Sequence, residues 1–207
     1  MNKIIRYFAV PFVLLLCRLA VPADSPITST PFASAYSEEK IVVSAGRAKG
    51  EITPELMEYL VRPNNPVDLK MAVINRLGWE TKIKNNAGSF YSYLARKNRY
   101  KNEDELKQKA TADELLALAY LKAMDDYYEV GPAIKYANLA LEKNPQSLTY
   151  NLIVGLIRSQ KAMDANWCEV FKITEAVKKN SELTVDIKSE AVRIIYEYTD
   201  SYEEFCK

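Results

Sequence analysis

Helix-start signals recur at short intervals along this chain and constrain its fold more than any other feature of the sequence. Thr53 precedes Pro54, and Asn65 precedes Pro66. In each pair a capping side chain stands before a proline, which is favoured in the first helical turn because its missing N–H needs no partner there. Gly78 is the residue type that most often ends a helix. These signals predict one helix starting near Pro54 and another running from Pro66 to Gly78.

Three further starts are marked by polar residues spaced three apart, in the capping-box arrangement or its Asp/Asn analogue. The pairs are Asn102 with Glu105, Thr111 with Glu114, and Asp200 with Glu203. The segments NAGSFYSYLARKN (86–98) and LTYNLIVGLIRSQKAM (148–163) are also predicted to be helical. The second is apolar on several faces, which is typical of a helix packed between neighbours. About nine helices and no sheet are predicted, so the fold class is all-α.

The N-terminus has the layout of a secretory signal peptide over residues 1–23. Lys3 and Arg6 precede an apolar run from Tyr7 to Cys17, and small residues follow up to Ala23, where cleavage is predicted. An uncleaved anchor is the alternative, but so short a run falls below the roughly 20 apolar residues that span a bilayer core. A lipoprotein is the other alternative. Three leucines precede the cysteine, however, whereas sequences that direct lipidation resemble one another in having a small residue directly before it. No membrane span is expected after cleavage.

Residues 24–50 are rich in Ser, Thr, Pro and Ala and lack a sustained helical period. This composition predicts a flexible leader. The formal net charge of +1 gives no electrostatic basis for binding nucleic acid or a membrane surface. The chain also has no Asn-x-Ser/Thr acceptor, which favours bacterial export, to the periplasm or beyond, over eukaryotic secretion.

Histidine is absent from the whole sequence. This excludes Ser-His-Asp and Cys-His catalysis and histidine-containing metal sites. No Gly-rich phosphate loop occurs either, and no metal or cofactor is predicted. Adjacent acids such as Asp125 and Asp126 point in different directions on a helix, so they are interpreted as solvated surface.

Cys168 and Cys206 remain once the signal peptide is removed. Two cysteines in an exported chain predict a disulfide, and closing a loop of this length is worth about 4 kcal/mol in the chain-entropy model. Two buried free thiols are the alternative.

The stretch AIKYANLALEKNP, residues 133–145, carries small residues seven apart at Ala133 and Ala140 and ends at Pro145. It resembles the second helix of a tetratricopeptide repeat, whose period is 34 residues. One period on, Val154 and Gly155 fall on the Leu-Gly pair of the pattern and Phe171 on its aromatic position. The departures fall on the small-residue, tyrosine and proline positions, and they are Trp167, Arg158 and Lys179.

The resemblance covers residues 111–207 and implies a right-handed stack of antiparallel helix pairs, an α-solenoid, closed by a C-terminal cap. A smaller N-terminal helical segment over residues 51–110 would precede it. The cap is assigned to ELTVDIKSEAVRIIYEY (182–198) and the residues after it, because the last repeat of an array needs its apolar face covered. An irregular helical bundle, in which the alanine spacing reflects ordinary helix packing, is the alternative.

The resemblance further implies a groove lined by the first helix of each unit, and five residues are predicted to project from it: Lys122, Asp125, Asp126, Ser159 and Gln160. The 14 tyrosines suit a recognition surface, with core packing as the alternative. The chain is therefore predicted to be a non-catalytic protein–protein interaction module that binds a protein or peptide in the cell envelope, as an accessory part of a bacterial envelope or secretion assembly. A self-associating structural envelope protein and an acid-only hydrolase are the alternatives, and oligomeric state is left open.

Overall fold

The computed structural model describes residues 25–78 and 84–207. The predicted signal peptide, residues 1–23, lies outside the described residues. Across these two ranges the protein forms ten α-helices and two short 3₁₀ helices. The α-helices are α1 (Lys40–Arg47), α2 (Pro54–Val61), α3 (Val67–Leu77), α4 (Asn86–Asn98), α5 (Glu103–Lys109), α6 (Ala112–Asp125), α7 (Gly131–Lys143), α8 (Leu148–Met163), α9 (Trp167–Lys178) and α10 (Ser189–Asp200), and the 3₁₀ helices are Phe32–Tyr36 and Ser201–Phe205. The only β-pairing in these ranges is an isolated bridge, so the all-α class is confirmed.

The helix starts follow the local signals closely. The Thr53 side chain accepts a hydrogen bond from the Leu56 N–H at the start of α2. At the start of α6 the full capping box of Thr111 and Glu114 is present, each side chain accepting from the other's N–H. Helix α3 begins one residue after Pro66, and Gly78 ends it with a φ of 74°, a backbone conformation that favours glycine. The prediction that Asn65 caps this helix is wrong, because its side chain donates to the Tyr59 carbonyl instead.

The Asp200 prediction is only partly right. The second 3₁₀ helix does begin directly after this residue, but the Asp200 side chain makes no capping hydrogen bond. Its Oδ2 instead accepts from Lys178 Nζ of α9 at 3.0 Å. The side chain therefore ties the C-terminal end to α9.

Helices α6 and α8 lie at the centre of the molecule. Residues Glu114 to Leu121 of α6 are all buried, as are residues Leu152 to Ile157 of α8. The prediction that 148–163 packs between neighbours is confirmed, since α8 contacts α7, α9, α6 and α3. Each central helix also packs extensively on the helix that follows it, giving the pairs α6 with α7 and α8 with α9.

The prediction of a flexible leader over residues 24–50 is wrong for the described part, residues 25–50. This stretch contains the first 3₁₀ helix and α1. Ile27 and Phe32 are both 0 % exposed. The stretch is ordered by distant parts of the chain, because the first 3₁₀ helix packs on α3 and α10.

The loop before α10 is fixed to the start of α8. Thr184 N–H donates to the Gln146 carbonyl at 2.7 Å, and Leu148 N–H donates to the Thr184 carbonyl at 3.0 Å. The Asp186 carboxylate accepts from Thr149 N–H at 2.9 Å and from the Ser147 hydroxyl. These contacts set the position of α10, which packs on α9 and on the first 3₁₀ helix.

Candidate interaction surfaces

The residues predicted to line a groove contact other parts of the protein instead. Asp125 accepts a hydrogen bond from Ala87 N–H at 2.7 Å, so its carboxylate caps the start of α4. Burial raises the pKa of this carboxyl group. Lys122 extends over the ring of Tyr136 on α7, with Nζ 5.7 Å from the ring centroid. Both side chains join α6 to neighbouring helices.

The other three predicted residues also bond within the protein. Asp126 Oδ1 accepts from the N–H groups of Tyr128 and Glu129, which shapes the turn between α6 and α7. Ser159 is 0 % exposed and Gln160 is 7 % exposed, so the prediction that these two project into an open groove is wrong. The physical reason is that Gln160 is covered by the chain near Ser25, whose hydroxyl donates to its side-chain oxygen.

That covering stretch, Ser25–Glu38, is here called the N-terminal segment. Its Phe32 ring stacks on Tyr120 of α6, with centroids 6.5 Å apart. Asn75 of α3 holds the same place through three hydrogen bonds. Its Oδ1 accepts from Ala33 N–H at 2.9 Å, and its Nδ2 donates to the Thr30 carbonyl at 3.0 Å and to the Tyr120 hydroxyl at 2.9 Å.

Tyr36 connects the other end of the N-terminal segment to two more elements. Its hydroxyl donates to Asp68 Oδ2 of α3 at 2.7 Å and accepts from Lys188 N–H, at the start of α10, at 3.1 Å. Burial, and the nearby Asp68 carboxylate, raise the pKa of the phenol. The segment therefore occupies space between α3, α6, α8 and α10 that a partner would need in order to reach Gln160.

Only some of the residues assigned to repeat packing are buried. Ala133 and Ala140 are buried in the core, whereas Pro145 is exposed and Phe171 is only partly buried. Gly155 faces α9, but a Cβ added there would lie 3.8 Å from the nearest atom, Ile173 Cγ2. That is ordinary contact, so close approach of the helices does not require this glycine.

The predicted disulfide between Cys168 and Cys206 is confirmed. Cys168 is in the first turn of α9, and Cys206 directly follows the second 3₁₀ helix. The bond therefore fastens the last residues of the chain to the start of α9. With both sulfurs bridged, neither cysteine is available as a nucleophile.

An aromatic cluster surrounds this disulfide, and sequence reasoning missed it. The aromatic surface, as we name it, consists of Trp167, Tyr198, Tyr202 and Phe205. The Trp167 ring packs edge to face on Phe205, with ring centroids 4.8 Å apart, and on Tyr202, with centroids 6.1 Å apart. The centroids of Tyr198 and Tyr202 are 5.4 Å apart. Trp167 remains 48 % exposed and Phe205 43 % exposed. Such rings at a protein surface are typical of binding sites.

Acidic groups lie in and beside the aromatic surface. Glu203 and Glu204 are exposed on the second 3₁₀ helix, and neither forms a salt bridge with another described residue. Glu169 and Asp164, near Trp167, are neutralised by Lys172 and Lys161. Two bases are also near: Lys178 pairs with Asp200 and interacts electrostatically with Glu203, and Lys207 follows in sequence. Exposed apolar rings are thus combined with a small surplus of negative charge.

A cavity of about 510 Å³ opens between the first 3₁₀ helix, α1 and α3, with Arg47 and Arg76 in its lining. Gly46 makes room for one of these cations, since a Cβ at this position would lie 2.7 Å from Arg76 Nε. Among the described residues, no three His, Cys, Asp or Glu side chains come together in a way that could hold a metal ion.

No protein-family model matches this sequence, and comparisons with curated proteins and with solved structures find no match either. The resemblance to tetratricopeptide repeats accordingly stays a prediction. Of the helices in the two described ranges, none has both the length and the hydrophobicity that crossing a membrane requires.

Proposed function

We propose that this protein is an exported, non-catalytic interaction module that binds a basic, apolar segment of an envelope protein through its aromatic surface. The observation that carries the proposal is the exposure of Trp167 and Phe205 beside a disulfide that fixes both in place. Large rings that are already ordered lose little conformational entropy on binding.

The chemistry of the partner is argued from charge. Glu203 and Glu204 flank the rings, and exposed carboxylates attract Lys or Arg side chains of an approaching chain. A cation that reaches the face of Trp167 gains a further cation–π contact. A partner segment with alternating basic and apolar residues satisfies both features.

Export is supported by the disulfide, because such bonds persist mainly in oxidising compartments. The proposal keeps the predicted cleavage after Ala23 and an accessory role in a bacterial envelope or secretion assembly. It also includes a right-handed, tetratricopeptide-like stack built from the pairs α6–α7 and α8–α9 and closed by α10. The support for the stack is that consecutive helices joined by short loops pack along each other.

Self-association through the aromatic surface is the less favourable reading of the same feature. In a two-fold dimer the same patch meets itself, so Glu203 and Glu204 of both copies would face one another. Like charges in that position oppose pairing. An acid-only hydrolase is also less favourable, because Asp125 and Asp126, the adjacent acids at the C-terminal end of α6, accept backbone hydrogen bonds that fix local structure.

Fluorescence of Trp167 tests the proposal directly. In a Trp79→Phe background Trp167 is the sole tryptophan, so its emission reports on the aromatic surface. The probes are a synthetic peptide of alternating Lys and Leu and a peptide of equal length with Glu in place of Lys. We expect the emission to change with the Lys peptide only, and the paired substitution Glu203→Gln and Glu204→Gln to weaken binding about tenfold. Equal response to both peptides, or none to either, would overturn the proposal.

Photo-cross-linking in cells then tests for a natural partner. A benzophenone amino acid replaces Phe205, and the matched control carries it at Tyr128, which is 71 % exposed on the loop between α6 and α7. We expect one dominant cross-link from position 205 to a Lys- or Arg-rich apolar segment, and loss of that cross-link when Trp167→Ala is added. The same products from both positions, or cross-links only between copies of this protein, would contradict the proposal.

A further inference from the structure

A second cavity, of about 300 Å³, opens where α3, α6, α7 and α8 meet. It shares none of the elements that carry the aromatic surface. Its polar lining includes Lys70, Asp113, Lys143 and Tyr150, and Val61 and Pro63 form an apolar side. Cavities of this size are at the lower end of those that bind small ligands.

The charged group at the base of this cavity is buried. Lys70 is 1 % exposed, and its Nζ lies 2.5 Å from Asp113 Oδ2. This is the only hydrogen bond that the ammonium makes to a described residue. Because an ammonium carries three donors, two N–H groups remain for another acceptor.

Asp113 is fully engaged on the protein side. Its other oxygen, Oδ1, accepts from the Tyr150 hydroxyl, and Tyr150 is itself buried. Burial raises the pKa of this phenol, and the Asp113 carboxylate raises it further, so Tyr150 stays a neutral donor. The aspartate therefore orients Lys70 and Tyr150 together.

The cavity also has more positive than negative charge. Lys143 lies in its lining and donates to the Gln108 carbonyl, a neutral group, at 3.2 Å. Two lysines and one aspartate thus line this cavity. The surplus is a single positive charge, which matches a monoanion and disfavours a dianion next to Asp113.

We propose that this cavity binds a carboxylate whose short carbon chain rests against Val61 and Pro63. The carboxylate accepts from the free N–H groups of Lys70, and Lys143 balances its charge. The group is carried either by a small organic acid or by the last residue of a peptide, since both present the same chemistry.

NMR titration of the purified ¹⁵N-labelled protein tests this site and separates the two sources. The probes are propionate, N-acetyl-Ala-Ala-Ala with a free carboxylate, and the amide of that tripeptide as the neutral control. We expect the carboxylates to shift the amide signals of Thr111, Ala112 and Asp113, and the amide to leave them unchanged. Tighter binding of the tripeptide indicates a peptide C-terminus, and tighter binding of propionate indicates a small acid.

A matched pair of variants on α7 tests the electrostatic part. Lys143→Gln removes a charge from the lining, and Lys135→Gln removes a charge that is also exposed, from the same helix but outside the lining. We expect Lys143→Gln to weaken carboxylate binding about fivefold and Lys135→Gln to leave it unchanged. Neither variant touches the core, so both are expected to fold. Equal effects of the two variants, or signal shifts that the neutral amide reproduces, would overturn the proposal.

Discussion

The N-terminal segment and the C-terminal cap, which comprises α10 and residues 201–206, both close off the same set of helices but are held by different interactions. The N-terminal segment has no covalent tie, and its rings are fully buried against α3 and α6. The C-terminal cap is held by a disulfide, and the two rings beside that bond, Trp167 and Phe205, stay at the surface. An end that is held by burial has its apolar surface packed inside the protein. An end that is held by a covalent bond can keep that surface exposed for a partner.

Removing the main buried ring of the N-terminal segment is expected to have the largest effect. Phe32→Ala should lower the free energy of unfolding by about 3–5 kcal/mol, because it leaves a cavity beside Tyr120. Urea unfolding followed by circular dichroism measures the loss. A change below about 1 kcal/mol would mean that the segment is not part of the core.

Removing the disulfide is expected to have the next largest effect. The variant Cys168→Ala with Cys206→Ala should lose about 2–4 kcal/mol, chiefly because the unfolded chain regains the freedom of a long loop. Hydrogen exchange should increase most in residues 201–206 and least at α3. An increase spread evenly over the molecule would show that the bond supports the core rather than the cap.

The polar attachment of the N-terminal segment is expected to matter less than its ring. Asn75→Ala removes three hydrogen bonds and should cost about 1–3 kcal/mol, since Ala33 N–H and the Tyr120 hydroxyl lose their partner. Asn138→Ala is the matched control, because the one hydrogen bond of the Asn138 side chain to a described residue is with Arg158, at the surface. Similar losses for both variants would remove the special role assigned to Asn75.

Alkaline pH should weaken the protein in part through the N-terminal attachment. Burial raises the pKa values of Tyr36 and Tyr120, which remain neutral in the folded protein at a pH where the unfolded chain ionises. Their contribution is complete below the unfolded pKa of about 10 and is lost as pH rises above it. Urea midpoints measured from pH 8 to 11 should fall at the upper end, and the pair Tyr36→Phe and Tyr120→Phe should flatten that fall. An unchanged slope in that variant would contradict the assignment.

The smallest effect has the opposite sign and concerns neither end. Gly155→Ala should raise stability by about 0.5–1 kcal/mol, because a Cβ fits against α9 and alanine favours the helix. Thermal unfolding measures the gain. A loss of stability would instead support the close packing that the repeat resemblance attaches to this position.

The helices themselves could be predicted because their signals are local. Thr111 and Glu114 are three residues apart, and the capping box they form depends on little else. The N-terminal segment could not be predicted in this way. Phe32 and Tyr120 are far apart in sequence, and Ile27, Phe32 and Tyr36 lie among Ser, Thr and Pro without a helical period. Their burial depends on long-range contacts, which composition does not reveal.

The candidate site shows the same division. Ser159 and Gln160 were assigned from the repeat register, which carried no information about what covers them. The disulfide was predictable from cysteine count and compartment. The cysteines also indicate where the aromatic surface lies, because Trp167 and Phe205 directly precede them in sequence. A bond between Cys168 and Cys206 has to bring those rings close together.

The burial of Ser25 has a mechanical consequence. The chain enters the described structure next to Gln160, so a pulling force applied at residue 24 acts immediately on the N-terminal segment. That force would break the Ser25–Gln160 bond, draw Phe32 away from Tyr120 and break the Asn75 bonds before α6 or α8 unfolded. Tension at the C-terminal end would instead pass through the Cys168–Cys206 bond into α9. An unfolding machine that grips the N-terminus would therefore open the core first, whereas one that grips the C-terminus would meet a covalent stop.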